Sequence, residues 1–246
     1  MKILVCISKA PDTTSKIAFT DNNTAFDKNG VQFIINPYDE WYALVRGLEL
    51  KEANGGSVTI LNVGGADNDP TIRKALAIGA DDAVRINMEP TDALGVAKQI
   101  ADYAKENAFD MVLCGKETID YNGSQVGGMV AAFLDQPFVS NASKLDMVGN
   151  TATIERDIQG GKEIIEVDTP FVLSAAKGMA EARIPNMRGI MAARTKPLQV
   201  VEPSAFENTT EVASYELPPA KGACKMVSAD NPAELLELLR NEAKII

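Results

Sequence analysis

The segment Cys114-Gly115-Lys116-Glu117-Thr118-Ile119-Asp120-Tyr121-Asn122-Gly123-Ser124-Gln125-Val126-Gly127-Gly128 concentrates residue types that can bind a phosphate. Hydroxyls, amides, a lysine and four glycines lie between an apolar run that reads as a buried strand and an apolar stretch, reaching Leu134, that reads as a helix. A Gly-rich turn opening into a helix presents free backbone N–H groups and the positive end of the helix dipole, the donor set a phosphate requires. Its small residues let the backbone come close. The spacing is neither a Walker A loop nor GxGxxG, so residue types alone leave a second reading open: a polar strand-to-helix turn capped by Ser124.

Other chemistry is narrowed by what the chain lacks. It contains no histidine, which removes Ser-His-Asp and Cys-His arrangements, the commonest general acid-base residue and nearly all catalytic zinc sites. Cys6, Cys114 and Cys224 are widely spaced with no CxxC pair; Cys6 and Cys114 sit in strand-like runs and read first as buried small hydrophobes. No metal is expected. A net charge of −10 and a pI near 4.7 argue against a nucleic-acid or anionic-membrane partner, because phosphates would meet an acidic surface. No apolar run approaches the ~18 residues needed to cross a bilayer, and the opening segment lacks the pattern of a signal peptide. A cytoplasmic location and no membrane insertion are therefore expected.

The elements that must position the loop are legible as an alternation. Lys2 to Ser8 reads as a buried strand. Asn36-Pro37-Tyr38-Asp39-Glu40 reads as a helix start, with Asn36 as cap, Pro37 at the first helical position and acids in the first turn. That helix carries Trp41, Leu44, Val45, Leu48 and Leu50 on one stripe and ends near Gly55. Ser57 to Val63 is the next strand, Pro70 to Ile78 a helix stopped by Gly79, and Asp82 to Ile86 a strand. Asp92 caps a helix running to Asn107, and Phe109 to Cys114 is a fourth strand. The pattern specifies a doubly wound, mostly parallel α/β sheet of Rossmann-like type, with a ligand at the carboxyl ends of its strands. Short alternating segments within 144–168 suit antiparallel hairpins. The expected division is an α/β domain over 1–194, including a loop at 177–194, then an extended arm over 195–246 that is too poor in apolar residues to hold itself together.

The loop residues also carry a family resemblance. Gly115-Lys116 with Ile119-Asp120, followed by Gln125 and Gly127 at the head of the next helix, resembles the nucleotide loop of electron transfer flavoprotein beta subunits. Lys2-Ile3-Leu4-Val5-Cys6 leading to Pro11-Asp12, the Asn36-Pro37-Tyr38 helix start, Thr71 to Asp81, and Arg183-Ile184-Pro185-Asn186-Met187-Arg188-Gly189-Ile190-Met191-Ala192-Ala193-Arg194 agree with it in order along the chain.

The resemblance implies a heterodimer with a larger alpha subunit. It implies an adenine nucleotide, AMP, held at positions matching Cys6, Asn36, Pro37, Tyr38, Asp39, Val63, Gly115, Lys116, Asp120, Gly123, Ser124, Gln125, Val126 and Gly127. FAD, shared with the alpha subunit, would be covered on one side by Tyr38. Arg183, Met187, Arg188 and Met191 would belong to a docking segment for acyl-CoA or other dehydrogenases, as in fatty acid oxidation, with electrons passed on to a quinone oxidoreductase or another acceptor. No catalytic acid or base is then expected, since the cofactor carries the chemistry. Two alternatives stand beside this one. A second FAD could replace AMP, as in bifurcating members, and a free-standing universal-stress-like nucleotide-binding protein shares the fold pattern.

Overall fold

The apolar run after Met1 forms β1 (Lys2–Cys6), with Ile3, Leu4 and Val5 fully buried. A polar excursion follows, in which β2 (Lys9–Pro11) pairs antiparallel with β5 (Phe33–Ile35), and β3 (Phe19–Thr20) pairs with β4 (Ala25–Phe26). Helix α1 (Asp39–Asn54) then leads through β6 (Ser57–Val63), α2 (Asp69–Ile78), β7 (Asp82–Ile86), α3 (Ala93–Asn107) and β8 (Met111–Gly115) to α4 (Val126–Leu134). Three strands follow, β9 (Phe138–Val148), β10 (Thr151–Ile158) and β11 (Gly161–Asp168), and then β12 (Phe171–Ala175), α5 (Met187–Ala193), β13 (Leu198–Val201) and α6 (Pro232–Glu237). The computed structural model describes residues 1–246 and divides into two compact units, Met1–Ser214 and Tyr215–Ile246.

All the main strands form one nine-stranded sheet in the order β11-β10-β9-β12-β8-β1-β6-β7-β13. From β9 to β13 in that order every pair is parallel, and only β9, β10 and β11 pair antiparallel. Helices cover both faces. Leu44 and Leu48 of α1 and Ile72 and Leu76 of α2 pack with Ile3, Val5 and Leu113 on one side. Ile100 and Ala104 of α3 and Val130 of α4 pack with Leu4, Leu61 and Val112 on the other. This is the doubly wound α/β class, and alternate burial of a strand's two side-chain rows is what brings helices to both faces.

Local chemistry accounts for most element ends. Asp92 accepts a hydrogen bond from Gly95 N at 2.5 Å and caps α3. Gly79, at φ +152°, ends α2 in a conformation that L side chains rarely adopt.

Three expectations are revised. Asn36 does not cap α1: the residue before the helix is Tyr38, with no side-chain cap, because Asn36 is wholly buried and bonded elsewhere. The hairpins are longer than expected and continuous with the main sheet, since the first half of β9 pairs with β12 before its second half turns to β10. The segment after residue 194 does not leave the body there. Leu198–Val201 adds β13 alongside β7, Gln99 holds Ser204, and Asp92 accepts from Thr209 and Thr210. Periodicity could not reveal this, because a four-residue edge strand with a half-exposed pattern has no helical or strand signature of its own. The unit Tyr215–Ile246 holds α6, and within it Lys225 pairs with Glu242 at 2.7 Å. No helix is long and apolar enough to cross a membrane.

Candidate nucleotide crevice and partner loop

Strand β1 has β6 on one side and β8 on the other, and the chain winds away from it in opposite directions. The carboxyl ends of β1 and β8 therefore flank the point where an open α/β sheet forms a ligand crevice. Cys6 ends β1, Gly115 ends β8, and both Cys6 and Cys114 are buried. A hydrogen bond with Cys114 and burial together push the Cys6 thiol well above its ordinary value, so it stays neutral.

Two buried polar side chains shape the crevice. Asn36 donates from Nδ2 to Glu117 O and accepts from Ile119 N, each at 2.9 Å, which pins the start of the 116–125 loop to the end of β5. Glu40, in the first turn of α1, accepts from Ser8 N at 2.6 Å and from Ser8 Oγ at 2.8 Å, fastening the exit of β1. Desolvation raises the Glu40 carboxyl to about 8, and nearby Asp120 and Asp39 add to the rise while the Ser8 bonds oppose it. At Gly115 a Cβ would lie 2.6 Å from Glu40 Cγ and 2.8 Å from Glu40 N, so only glycine lets α1 approach β8 this closely.

Beyond Glu117 the loop is self-supporting. Lys116 and Glu117 form an ion pair at 2.8 Å, Asn122 N donates to Thr118 O at 2.9 Å, and Asn122 and Ser124 have positive φ. Ser124 Oγ bonds Glu117, not the helix. The first residue flanking α4 is Gln125, and the helix has no side-chain cap, so the first-turn N–H groups of Val126, Gly127 and Gly128 remain available as donors. Gly127 lies under the Phe138 ring, 3.1 Å from where its Cβ would be, whereas a Cβ on Gly123 would meet nothing closer than 3.8 Å. The uncapped N–H groups suit a phosphate, and Cys6, Val63 and Val126 beside them share one apolar cluster.

Not all the sequence-derived residues meet in that crevice. Asp120 is exposed, and its carboxylate accepts from Tyr121 N at 3.0 Å. Pro37, Tyr38 and Asp39 line a cleft of about 300 Å³ at the head of α1, with Tyr42, Lys177 and the loop residues Lys116, Glu117, Ile119 and Asn122. Tyr38 is 58% exposed and has φ +68°, ψ −102°, a costly backbone for a side chain of that size.

The 177–194 segment is docked on two helices. Arg183 grips Glu52 with two hydrogen bonds at 2.7 and 2.9 Å, and Trp41 Nε1 donates to Arg183 O at 3.2 Å. Arg183 is therefore engaged within the chain. Asn186 caps α5, Gly189 sits against the Ala77 carbonyl, and Arg73 holds Ala193 O at 2.8 Å. Outward stand the apolar Ile184 at 89% exposure, Met187 at 74%, Met191 and Ile190, with the exposed Glu181, Asn186, Arg188 and Arg194 among them. Sequence reasoning overlooked Glu40, Lys177 and Ile184. An acid in a first helical turn reads as a dipole partner, and nothing in sequence marks one as buried.

Asn36→Ala is expected to cost about 2 kcal/mol, since Ile119 N–H and Glu117 C=O lose their partners. Urea denaturation of the purified chain measures it, and a loss below about 0.5 kcal/mol would mean that the loop holds its own shape.

With this geometry in place, the chain can be compared with known proteins. Residues 24–206 match the family described as electron transfer flavoprotein domain. The chain is 36% identical to electron transfer flavoprotein subunit beta of Bacillus subtilis (strain 168), with both chains covered over 100% of their length. It is 33% identical to the subunit beta of Syntrophomonas wolfei over 100% of this chain and 98% of the relative. Against the human subunit beta it is 32% identical over 98% of each.

Proposed function

The chain belongs to the electron transfer flavoprotein family as a beta subunit, and on that premise we propose that it pairs with an alpha subunit, holds AMP in the β1/β8 crevice and covers one side of the complex's FAD. The observation that carries the nucleotide reading is the uncapped start of α4 at the carboxyl end of β8. The FAD supplies the redox chemistry when bound, accepting electrons from dehydrogenases and yielding them to a quinone oxidoreductase or another acceptor. This chain contributes binding, orientation and docking. Tyr38, exposed on a strained backbone, is the aromatic that faces the flavin.

AMP is favoured over a second FAD by the state of the other helix start. The head of α3, at the carboxyl end of β7, is closed by Asp92 and by Thr209 and Thr210, whose N–H groups bond the same carboxylate at 2.7 and 3.3 Å. That start therefore offers fewer free donors than α4 to a second phosphate-bearing ligand. Co-expression with the alpha subunit, acid release of ligands and chromatographic counting tests the whole reading. One FAD and one AMP per heterodimer is the expected result. Two FAD and no AMP would establish the bifurcating type, and no stable complex would return the chain to a stand-alone nucleotide-binding protein.

The apolar tip of Ile184, Met187, Ile190 and Met191, with Arg188 beside it, is the proposed docking surface for an acyl-CoA or other dehydrogenase; exposed methionines adapt to several partners. Met187→Ala is expected to slow electron transfer from a cognate dehydrogenase about tenfold, equivalent to about 1.4 kcal/mol of docking, with FAD and AMP retained. Flavin loss in place of slowed transfer would assign Met187 to holding the cofactor. The unit Tyr215–Ile246 exposes Met226, Leu235, Leu236, Ile245 and Ile246 and is the proposed arm for the alpha subunit.

A further inference from the structure

We propose that the ammonium group of Lys177 raises the reduction potential of the flavin that Tyr38 faces, by stabilising the negative charge the ring gains on reduction. The proposal rests on the reading above that the cleft beside Tyr38 lies against the flavin.

Four charged side chains line this cleft: Asp39, Lys116, Glu117 and Lys177. Lys116 and Glu117 pair with each other at 2.8 Å and largely cancel. Desolvation pushes the Asp39 carboxyl above its ordinary value, partly opposed by Lys116. Lys177 enters no ion pair, so its ammonium is free to turn toward a charge held in the cleft.

The backbone that carries Lys177 is fixed. It lies two residues beyond β12, in a turn where Ala176 N donates to Ala142 O at 2.8 Å and Met179 N donates to Ala176 O at 3.2 Å. Met179 is buried, and Gly178, at φ +103°, supplies the reversal. The base of the side chain is therefore set by the sheet, and only the tetramethylene stem moves. A flexible ammonium on a fixed base at the rim of an aromatic-lined cleft can follow a developing negative charge.

At neutral pH a flavin that takes up two electrons and one proton carries one more negative charge on its ring than the oxidised form. A nearby cation favours the charged form, and covering the cleft with a partner subunit removes the water that would screen it. Protein charge beside the ring is one of the means by which a flavin's potential is set.

The test uses the heterodimer assembled with its alpha subunit, titrated with dithionite as electron donor and a dye as potential reference. Lys177→Met is expected to lower the two-electron midpoint by about 30 mV, a tenfold loss of preference for the reduced ring, with FAD per heterodimer unchanged. Lys177→Arg, which keeps the charge, is expected to retain the original midpoint. An unchanged midpoint in Lys177→Met overturns the proposal, as does loss of FAD, which would make Lys177 a retention residue. Tyr38→Leu separates the two levels of the argument. If it shifts the flavin absorbance while Lys177→Met changes nothing, the cleft faces the flavin and only the role of Lys177 fails; if neither variant has an effect, the placement of the cleft fails with it.

Discussion

Replacing Glu40 by Gln is expected to remove a pH-dependent loss of stability that reaches about 5 kcal/mol between acid and mildly alkaline solution. Glu40 is buried in the first turn of α1 with both Ser8 N and Ser8 Oγ donating to it, and desolvation raises its carboxyl from 4.5 to about 8. A carboxyl with a raised folded value binds a proton in the folded chain at a pH where the unfolded chain has released it. Its contribution is therefore full below 4.5, falls by about 1.4 kcal/mol per pH unit above that, and levels off beyond about 8. Glutamine has nearly the same shape, stays neutral throughout and can still accept from Ser8 N through its carbonyl oxygen. The variant should match the parent near pH 5 and exceed it near pH 8 in urea denaturation. Parallel stability profiles would show that Glu40 is already ionised in the fold.

The second large effect is expected at Gly115. An alanine methyl there would stand 2.6 Å from Glu40 Cγ, 2.8 Å from Glu40 N and 3.2 Å from Asp39 C. Two of these three neighbours are backbone atoms of the first turn of α1, so relief requires moving the helix, at a cost of about 3 kcal/mol. The same shift displaces Glu40 from Ser8 and moves the head of the 116–125 loop, and AMP should be lost from the purified complex. Gly123 supplies the contrast. Its nearest neighbour to an added Cβ is Gln125 Nε2 at 3.8 Å, and its φ lies outside the left-handed range. Gly123→Ala should leave stability within about 0.5 kcal/mol of the parent. Equal losses at the two positions would mean that the loop, not the approach of α1 to β8, sets the requirement for glycine.

These two residues also show where sequence reading reaches its limit. Gly115 is visible as the end of an apolar run, yet the reason it must be glycine is a contact with a residue 75 positions earlier in the chain. Glu40 looks like one of two acids suited to a helix start, and only packing distinguishes it from Asp39, which lines a cleft. Asn36 was legible as important but not in its role, because a cap and a buried loop tether use the same side-chain chemistry. Apart from the four short strands between Lys9 and Ile35, which are too brief to show a pattern, the strand-helix alternation from Lys2 to Leu134 is legible to within a few residues, because each main strand there is a compact apolar run and helices have their own punctuation, such as Asp92 or Gly79. Arg183 was legible as a charged loop residue. That it clamps the loop onto Glu52 depends on where α1 lies.

By itself the sequence determined the doubly wound α/β class, the phosphate-suited turn before α4, the absence of histidine chemistry and the resemblance to a family, because these depend on residue types and on spacings within one element. Tertiary structure alone decided that β13 and residues 204–210 stay on the body, that Glu40 is buried, that Tyr38 shares a cleft with Lys177, and that Ile184 is exposed. Each of these is a meeting of segments far apart in the chain, and periodicity within a segment contains no information about which distant surface will cover it.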